Sequence, residues 1–350
     1  MKKMLAMLLA LVMILGLAAC ASTKPAADAT ATSEPSNTGD SASAETSAEA
    51  SDAAPAESGK TYTVGVCQLI QHEALDAATQ GFIDALKEEL GDAVTVDVQN
   101  ASGDSVNCGT IVNGFVSRGV DLIMANATPA LTAAVSATAD IPILGTSITA
   151  YGVALDIDDF NGTVGGNVSG TSDLADLQAQ AQMILDWFPE TKSVGLLFCS
   201  AEPNSRYQID EVRKALEAQG VTCEEFAFTD SNDVSSVTQK AADFSDVVYI
   251  PTDNTAASNT EAIANVLIPA GVPAICGEEG ICRGCGVATL SISYYDLGVT
   301  TGKMAAKILK GEANISEMPV EYTDATPKYN ASICDQLGIT PLDGYEAIDD

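Results

Sequence analysis

The stretch Val247-Val248-Tyr249-Ile250-Pro251-Thr252-Asp253-Asn254-Thr255-Ala256-Ala257 decides the fold. A short apolar run meets a proline, then small polar residues, then a helical pattern beginning at Ala257. A run of that length bounded by turn residues reads as a buried strand, and the polar stretch as a loop into a helix start. In open α/β sheets, ligands bind at this edge, outside the carboxyl ends of the strands. Asp253 sits there with no basic neighbour in sequence. It reads either as the holder of a ligand's cationic group or as the cap of the helix that follows.

The same rhythm runs outward in both directions. Toward the amino terminus, strands are expected at 62–67, 93–98, 120–125 and 141–144. Between them, Leu75, Ala78, Phe82, Leu86 and Leu90 recur at helical spacing before Gly91, a second helix covers 106–118, and Thr128-Pro129 opens a third. The segment 150–170 is rich in Gly, Asn and Asp and reads as a passage between lobes. The rhythm then restarts, with strands at 194–199, 221–228, 247–250, 273–276 and 287–292. Helices at 174–188, 205–219, 234–243, 257–270 and 295–309 alternate with or follow them. An extended piece at 319–322 and a short helix at 331–337 complete the chain. Alternation of this kind predicts an α/β protein of two doubly wound parallel-sheet lobes joined by crossovers. Two such lobes make a clamshell that closes on a small ligand.

The first part of the chain is of another kind. Residues 1–19 carry Lys2 and Lys3 before an apolar run that is short for a membrane span and ends in small residues, the pattern of an export signal. Leu17-Ala18-Ala19-Cys20 resembles the bacterial lipobox, which implies cleavage before Cys20 and a lipid on its sulfur. Residues 21–59 contain no Val, Ile, Leu, Met, Phe, Trp or Tyr, so 20–59 is expected to be a lipidated, disordered tether. As a flexible coil it would span roughly 35 Å.

With 16 basic against 48 acidic residues, nucleic acid and anionic lipid surfaces are poor partners. Solubility is the plain reading of the excess. Of the nine cysteines, eight remain once Cys20 is set aside. In an exported chain they invite disulfides of undetermined connectivity, or stay as buried thiols. Cys282-Arg283-Gly284-Cys285 is a CxxC without a second CxxC or a histidine pair, so no metal site is expected. No nucleophile with base and orienter is recognisable, so no enzyme is expected. Neither a P-loop nor GxGxxG after the first strand is present, so no cofactor is called for.

Several stretches carry a resemblance. They are His72-Glu73-Ala74-Leu75-Asp76, Gly81-Phe82, Asn126-Ala127-Thr128-Pro129-Ala130, Gly166-Asn167-Val168-Ser169-Gly170, Pro251-Thr252-Asp253-Asn254-Thr255, Glu278-Glu279-Gly280 and Tyr294-Tyr295-Asp296-Leu297-Gly298. From about 62 to 340 the chain resembles the lipoprotein substrate-binding proteins of ABC importers that include tryptophan- and tyrosine-type members. The resemblance implies the type I periplasmic-binding-protein fold with three interlobe crossovers. Lobe 1 would then be 60–170 plus about 291–318, and lobe 2 171–290 plus about 319–350. It also implies an extracytoplasmic, lipid-anchored protein that hands an aromatic amino acid to an ABC permease served by a separate ATPase. The chain departs from the family pattern at Cys67, Glu73, Ala150-Tyr151 and Cys199, which bears on the ligand more than on the fold.

An amino acid presents a carboxylate and an ammonium. Hydroxyls and helix N-termini suit the first, which selects Thr128, Thr146 and Ser147; each would otherwise be a helix cap. Carboxylates and amide oxygens suit the second, which selects Asp253, Asn254, Glu278 and Glu279. His72, Ser172, Asp173 and Ser200 lie at the same strand edge, as do Glu202 and Asn204, and Tyr151 could wall the pocket. Two other readings stand beside this one: a binder of sugars, nucleosides or a signalling solute on the same fold, and an exported redox protein using Cys282 and Cys285.

Overall fold

The structure is a computed structural model that describes residues 60–348. The signal, Cys20 and the tether lie outside them.

Alternating side chains set the first sheet. In β1 (Tyr62–Gln68), Val64 and Val66 pack on Phe82 and Leu86, while Cys67 faces Phe115 and Leu131 on the other side. That is the period-two pattern of a strand buried on both faces. The chain continues through α1 (Glu73–Leu90), β2 (Val94–Asn100), α2 (Ser105–Arg118), β3 (Leu122–Asn126), α3 (Thr128–Ala137), β4 (Ile143–Ile148), α4 (Tyr151–Ala154) and β5 (Val168–Ser172). The segment expected to pass between lobes at 150–170 is thus part of the first lobe, because β5 pairs in parallel with β4. Its strand was hidden by small residues, Val-Ser-Gly-Thr-Ser.

The second unit of the rhythm runs α5 (Leu177–Trp187), β6 (Ser193–Cys199), α6 (Pro203–Glu217), β7 (Thr222–Phe228), α7 (Val234–Phe244), β8 (Val247–Ile250), α8 (Asn254–Ala257), α9 (Thr260–Ala270), β9 (Ala274–Cys276), α10 (Glu279–Cys285) and β10 (Ala288–Ser291). In β6, Leu196 and Phe198 join one core layer and Leu197 and Cys199 the opposite one. After it come α11 (Tyr294–Lys310), β11 (Glu321–Tyr322), β12 (Thr326–Tyr329), α12 (Ala331–Leu337) and β13 (Glu346–Ala347).

The sheets are ordered β11-β5-β4-β3-β1-β2 and β13-β12-β10-β9-β8-β6-β7. All named pairs are parallel except β10 with β12. The chain therefore crosses between sheets after β5, after β10 and after β11. β11 still adds to the first sheet beside β5, so the last crossing falls beyond 322 rather than near 319. This is a two-lobed α/β fold.

Helix α11 returns to pack against α1. A Cβ at Gly81 would lie 2.1 Å from the Tyr295 carbonyl oxygen, and one at Gly298 would lie 2.0 Å from that of Ala78. Only glycine allows backbones to approach this closely.

Candidate ligand-binding site

The first lobe's rim is built where β3, β4 and β5 end side by side, with Asn126 opposite Thr146 and Ile148 opposite Ser172. Just past β3, Ala127 has φ 86° and ψ 157°, a region held almost only by glycine. Within the neighbouring end of β4, Ser147 has φ 56°. Strain of this kind costs about 1–3 kcal/mol per residue and gathers at functional sites. Ala127 N–H donates to the Thr146 carbonyl at 3.1 Å, which ties the two strained turns together. Helix α3 begins here with no side-chain cap and with proline in its first turn. Its first turn is therefore electropositive and short of acceptors.

Three buried oxygens on this rim have no hydrogen-bond partner within the protein: Asn126 Oδ1, Ser147 Oγ and Asp173 Oδ1. The Asn126 amide nitrogen is held by the Leu75 carbonyl at 2.8 Å and Thr79 Oγ1 at 3.0 Å, so its oxygen is fixed as an acceptor. Asp173 Oδ2 accepts from the Tyr294 hydroxyl at 2.9 Å. Burial pushes the Asp173 carboxyl up to about 6, against the Tyr294 hydrogen bond, so it remains largely ionised at neutral pH.

Other expected residues on this lobe are buried or hydrogen-bonded within it. Thr146 Oγ1 closes a hydroxyl triangle with Thr171 and Thr301 at 3.1 and 3.2 Å. Ser172 Oγ donates to the Thr149 carbonyl at 3.0 Å. The Tyr151 hydroxyl donates to the Thr171 carbonyl at 3.2 Å, lying where Gly145 and Gly170 have no Cβ. Thr128 is buried in the first turn of α3.

The second lobe's rim is nearly closed to outside partners. Asp253 is 1% exposed; one carboxylate oxygen accepts from Cys199 N–H at 2.6 Å and the other from Ala256 N–H at 2.8 Å. It caps α8 and braces the end of β6, using the oxygens expected to face a ligand. Burial and the neighbouring Glu202 push its carboxyl up to about 8. Glu202 accepts from Asn254 N–H, Asn254 Nδ2, Thr255 N–H and Thr255 Oγ1 at 2.6–3.0 Å, and from Asn204 Nδ2 at 3.2 Å. Its chain position marked it only as another acid at the edge; five donors folded around it make it the organiser of this rim. Asn204 Oδ1 is the one unpartnered buried oxygen here.

Glu278 caps α10 through Gly280 and Ile281 N–H at 2.7 and 2.5 Å, and burial pushes it up to about 7. Glu279 is paired with Lys328 at 2.7 Å and Arg283 at 2.8 Å. Ser200 is exposed and donates to the Phe228 carbonyl at 3.1 Å. Each of the three is held by partners of its own lobe.

Between the rims lies a cavity of about 210 Å³ lined by Leu69, Ile70 and Pro129 of the first lobe and by Cys199, Glu202 and Asn254 of the second. It is smaller than the roughly 300–1,000 Å³ of ordinary small-molecule pockets. His72 Nε2 of the first lobe meets Asn254 Oδ1 of the second at 3.2 Å. Cys282 and Cys285 are buried on α10, and Cys285 Sγ donates to the Ile281 carbonyl at 3.3 Å. Reactive thiols sit in exposed, electropositive places, so this arrangement disfavours redox exchange at the CxxC. Among the described residues no group of His, Cys, Asp and Glu is placed to hold a metal ion.

Two α/β lobes, crossing segments between them and a polar cleft at the strand ends define a clamshell solute-binding protein. The model of the ABC transporter substrate binding protein family matches residues 63–344, and the chain belongs to that family. It is 32% identical over 276 residues to the tyrosine-binding protein of Clostridioides difficile (strain R20291), covering 77% of this chain and 79% of that one. The ABC domain from Streptococcus pneumonia in complex with L-Trp is 32% identical with a TM-score of 0.78, over 83% of this chain and 100% of that one. The ligand-free, open structure of a Clostridium difficile substrate binding protein with adhesive properties is also 32% identical, over 83% of this chain and 99% of that one, but scores 0.63. At equal identity the ligand-bound relative superposes better, in keeping with lobes that touch through His72 and Asn254.

Proposed function

We propose that this chain is an extracytoplasmic, lipid-anchored receptor that captures an aromatic amino acid between its lobes and delivers it to an ABC permease with a separate ATPase. It acts by binding, without chemistry on the ligand. The carrying observation is the first-lobe rim, where strained turns, an uncapped helix start and unpartnered buried oxygens converge on neighbouring strand ends. In this reading Asp173 Oδ1 accepts from the ligand ammonium, with Asn126 Oδ1 beside it. The first turn of α3 at Thr128 and the Ser147 hydroxyl receive the carboxylate. The side chain occupies the cavity at Leu69, Ile70 and Cys199. Cys20 supplies the anchor. Relatives that bind Tyr and Trp support the ligand class.

Thermal melts in the presence of L-tryptophan, L-tyrosine and L-phenylalanine test this. A ligand at 100 times its Kd stabilises by about 2.7 kcal/mol, so at least one should raise Tm by several degrees. No shift with any of the three overturns the ligand assignment.

A further inference from the structure

His72 opens α1 without capping it. Its Nε2 instead reaches 3.2 Å to Asn254 Oδ1, on the first turn of α8 in the opposite lobe. The Asn254 amide cannot turn over, because its nitrogen is held by Glu202 Oε2 at 2.6 Å. Oδ1 is therefore an acceptor aimed at the first lobe, and His72 must present Nε2–H to it. One residue on, Glu73 meets Arg283 of α10 at 3.1 Å, and Arg283 is steadied by Glu279 at 2.8 Å. Two adjacent residues at one helix start thus grip two helices of the other lobe. His72 and Asn254 were both expected to touch the ligand, but each answers the other.

Resting on the reading of the cleft as a ligand site, we propose that His72 and Asn254, oriented by Glu202, form a clasp that holds the lobes shut and sets how long the ligand stays. Glu73–Arg283 is the outer, more solvated half of the clasp, with Glu73 54% exposed along its side chain, and contributes less. Glu202 is a positioning residue. It lines the cavity beside Asn254 and acts by fixing which way Asn254 faces.

The chain has a single histidine, so protein labelled with ¹⁵N-histidine gives one imidazole to read by NMR. Saturation with L-tryptophan or L-tyrosine is expected to lock His72 as the Nε2–H tautomer. In Asn254→Ala that lock relaxes to the tautomer mixture of a free imidazole, ligand dissociation quickens about fivefold, the worth of one neutral hydrogen bond, and the association rate stays within about twofold, since mutations of this kind act mainly on release. Glu202→Ala is expected to loosen the tautomer in the same direction with Asn254 still present, an effect a merely structural role would not produce. An averaged or Nδ1–H imidazole in the saturated protein, or an Asn254→Ala variant with unchanged spectrum and release rate, overturns the clasp. If neither amino acid binds, the ligand reading fails alone, and the clasp is judged on the unliganded protein. There Asn254→Ala must alter the His72 spectrum and enlarge the radius of gyration in small-angle scattering; no change in either overturns it.

Discussion

The two rims of the cleft are made from the same materials and finished differently. On the second lobe, Glu202 and Asp253 are almost fully buried and their oxygens are taken by backbone and side-chain donors of that lobe. On the first, Asp173 is as well buried, yet one oxygen has no protein partner, and nearby turns hold Ala127 and Ser147 in strained conformations. An acid at a strand end is therefore no guide to ligand contact until its hydrogen bonds are counted. In the proposed reading the satisfied rim is a brace and the unsatisfied one a grip.

The contrast is sharpest between two aspartates. Asp173→Ala should weaken binding of the aromatic amino acid about 100-fold, the usual loss when a buried charged hydrogen-bond partner is removed, as read by calorimetry. Asp253→Asn should leave affinity within about threefold. If Asp253→Asn proves the more damaging, the grip and the brace must change places. Asp253→Ala should instead lower stability by about 2–4 kcal/mol in denaturant melts, because two buried amides lose their acceptor. Asp253→Asn should also lose stability, since its NH2 would face one of the two backbone N–H groups that now reach the carboxylate.

Proton linkage separates the rims again. Asp253, Glu278 and Asp173 are raised to about 8, 7 and 6, so the native state holds protons that the unfolded chain, with carboxyls near 4, has released. Their contribution is fully present below about pH 4 and is lost as pH rises through their folded values. Glu225, Glu279 and Asp246 are lowered and act in the opposite sense, losing stability in acid. His72 is lowered by burial and also favours higher pH. Melting temperature should therefore peak on the acid side of neutrality and fall toward pH 8, with Asp253→Asn flattening the upper part of that fall. Ligand affinity should decline below about pH 6 as Asp173 gains its proton. The smallest effect is expected for Ser147→Ala: a loss of about fivefold in affinity, one hydrogen bond's worth, with the melting temperature in the absence of ligand little changed.

Much of the fold was legible because hydrophobic runs and helical spacing report burial directly. β8, Val247–Ile250, is found as expected. β5 was missed because Val-Ser-Gly-Thr-Ser lacks bulk, and β12 because Thr-Pro-Lys-Tyr reads as loop. The site was legible as a set of places and not as a set of duties. Ser147 and Asp173 emerge with free oxygens, whereas Asp253 and Glu278 emerge as caps, and residue type cannot tell these apart. That distinction depends on which backbone amides the fold brings within 3 Å, and those come from positions such as Cys199, far away in sequence from Asp253.

The glycine contact between α1 and α11 has a mechanical consequence. With carbonyls filling the space a Cβ would need at Gly81 and Gly298, the two helices form one spar that has no play at its crossing. α1, 18 residues long, is a rod of about 27 Å with His72 at its tip, and α11 begins beside the crossing that leaves β10. A methyl group at either glycine would act as a wedge, tilting the spar and misaligning His72 with Asn254. Solute release could thus be tuned from a position that no solute touches.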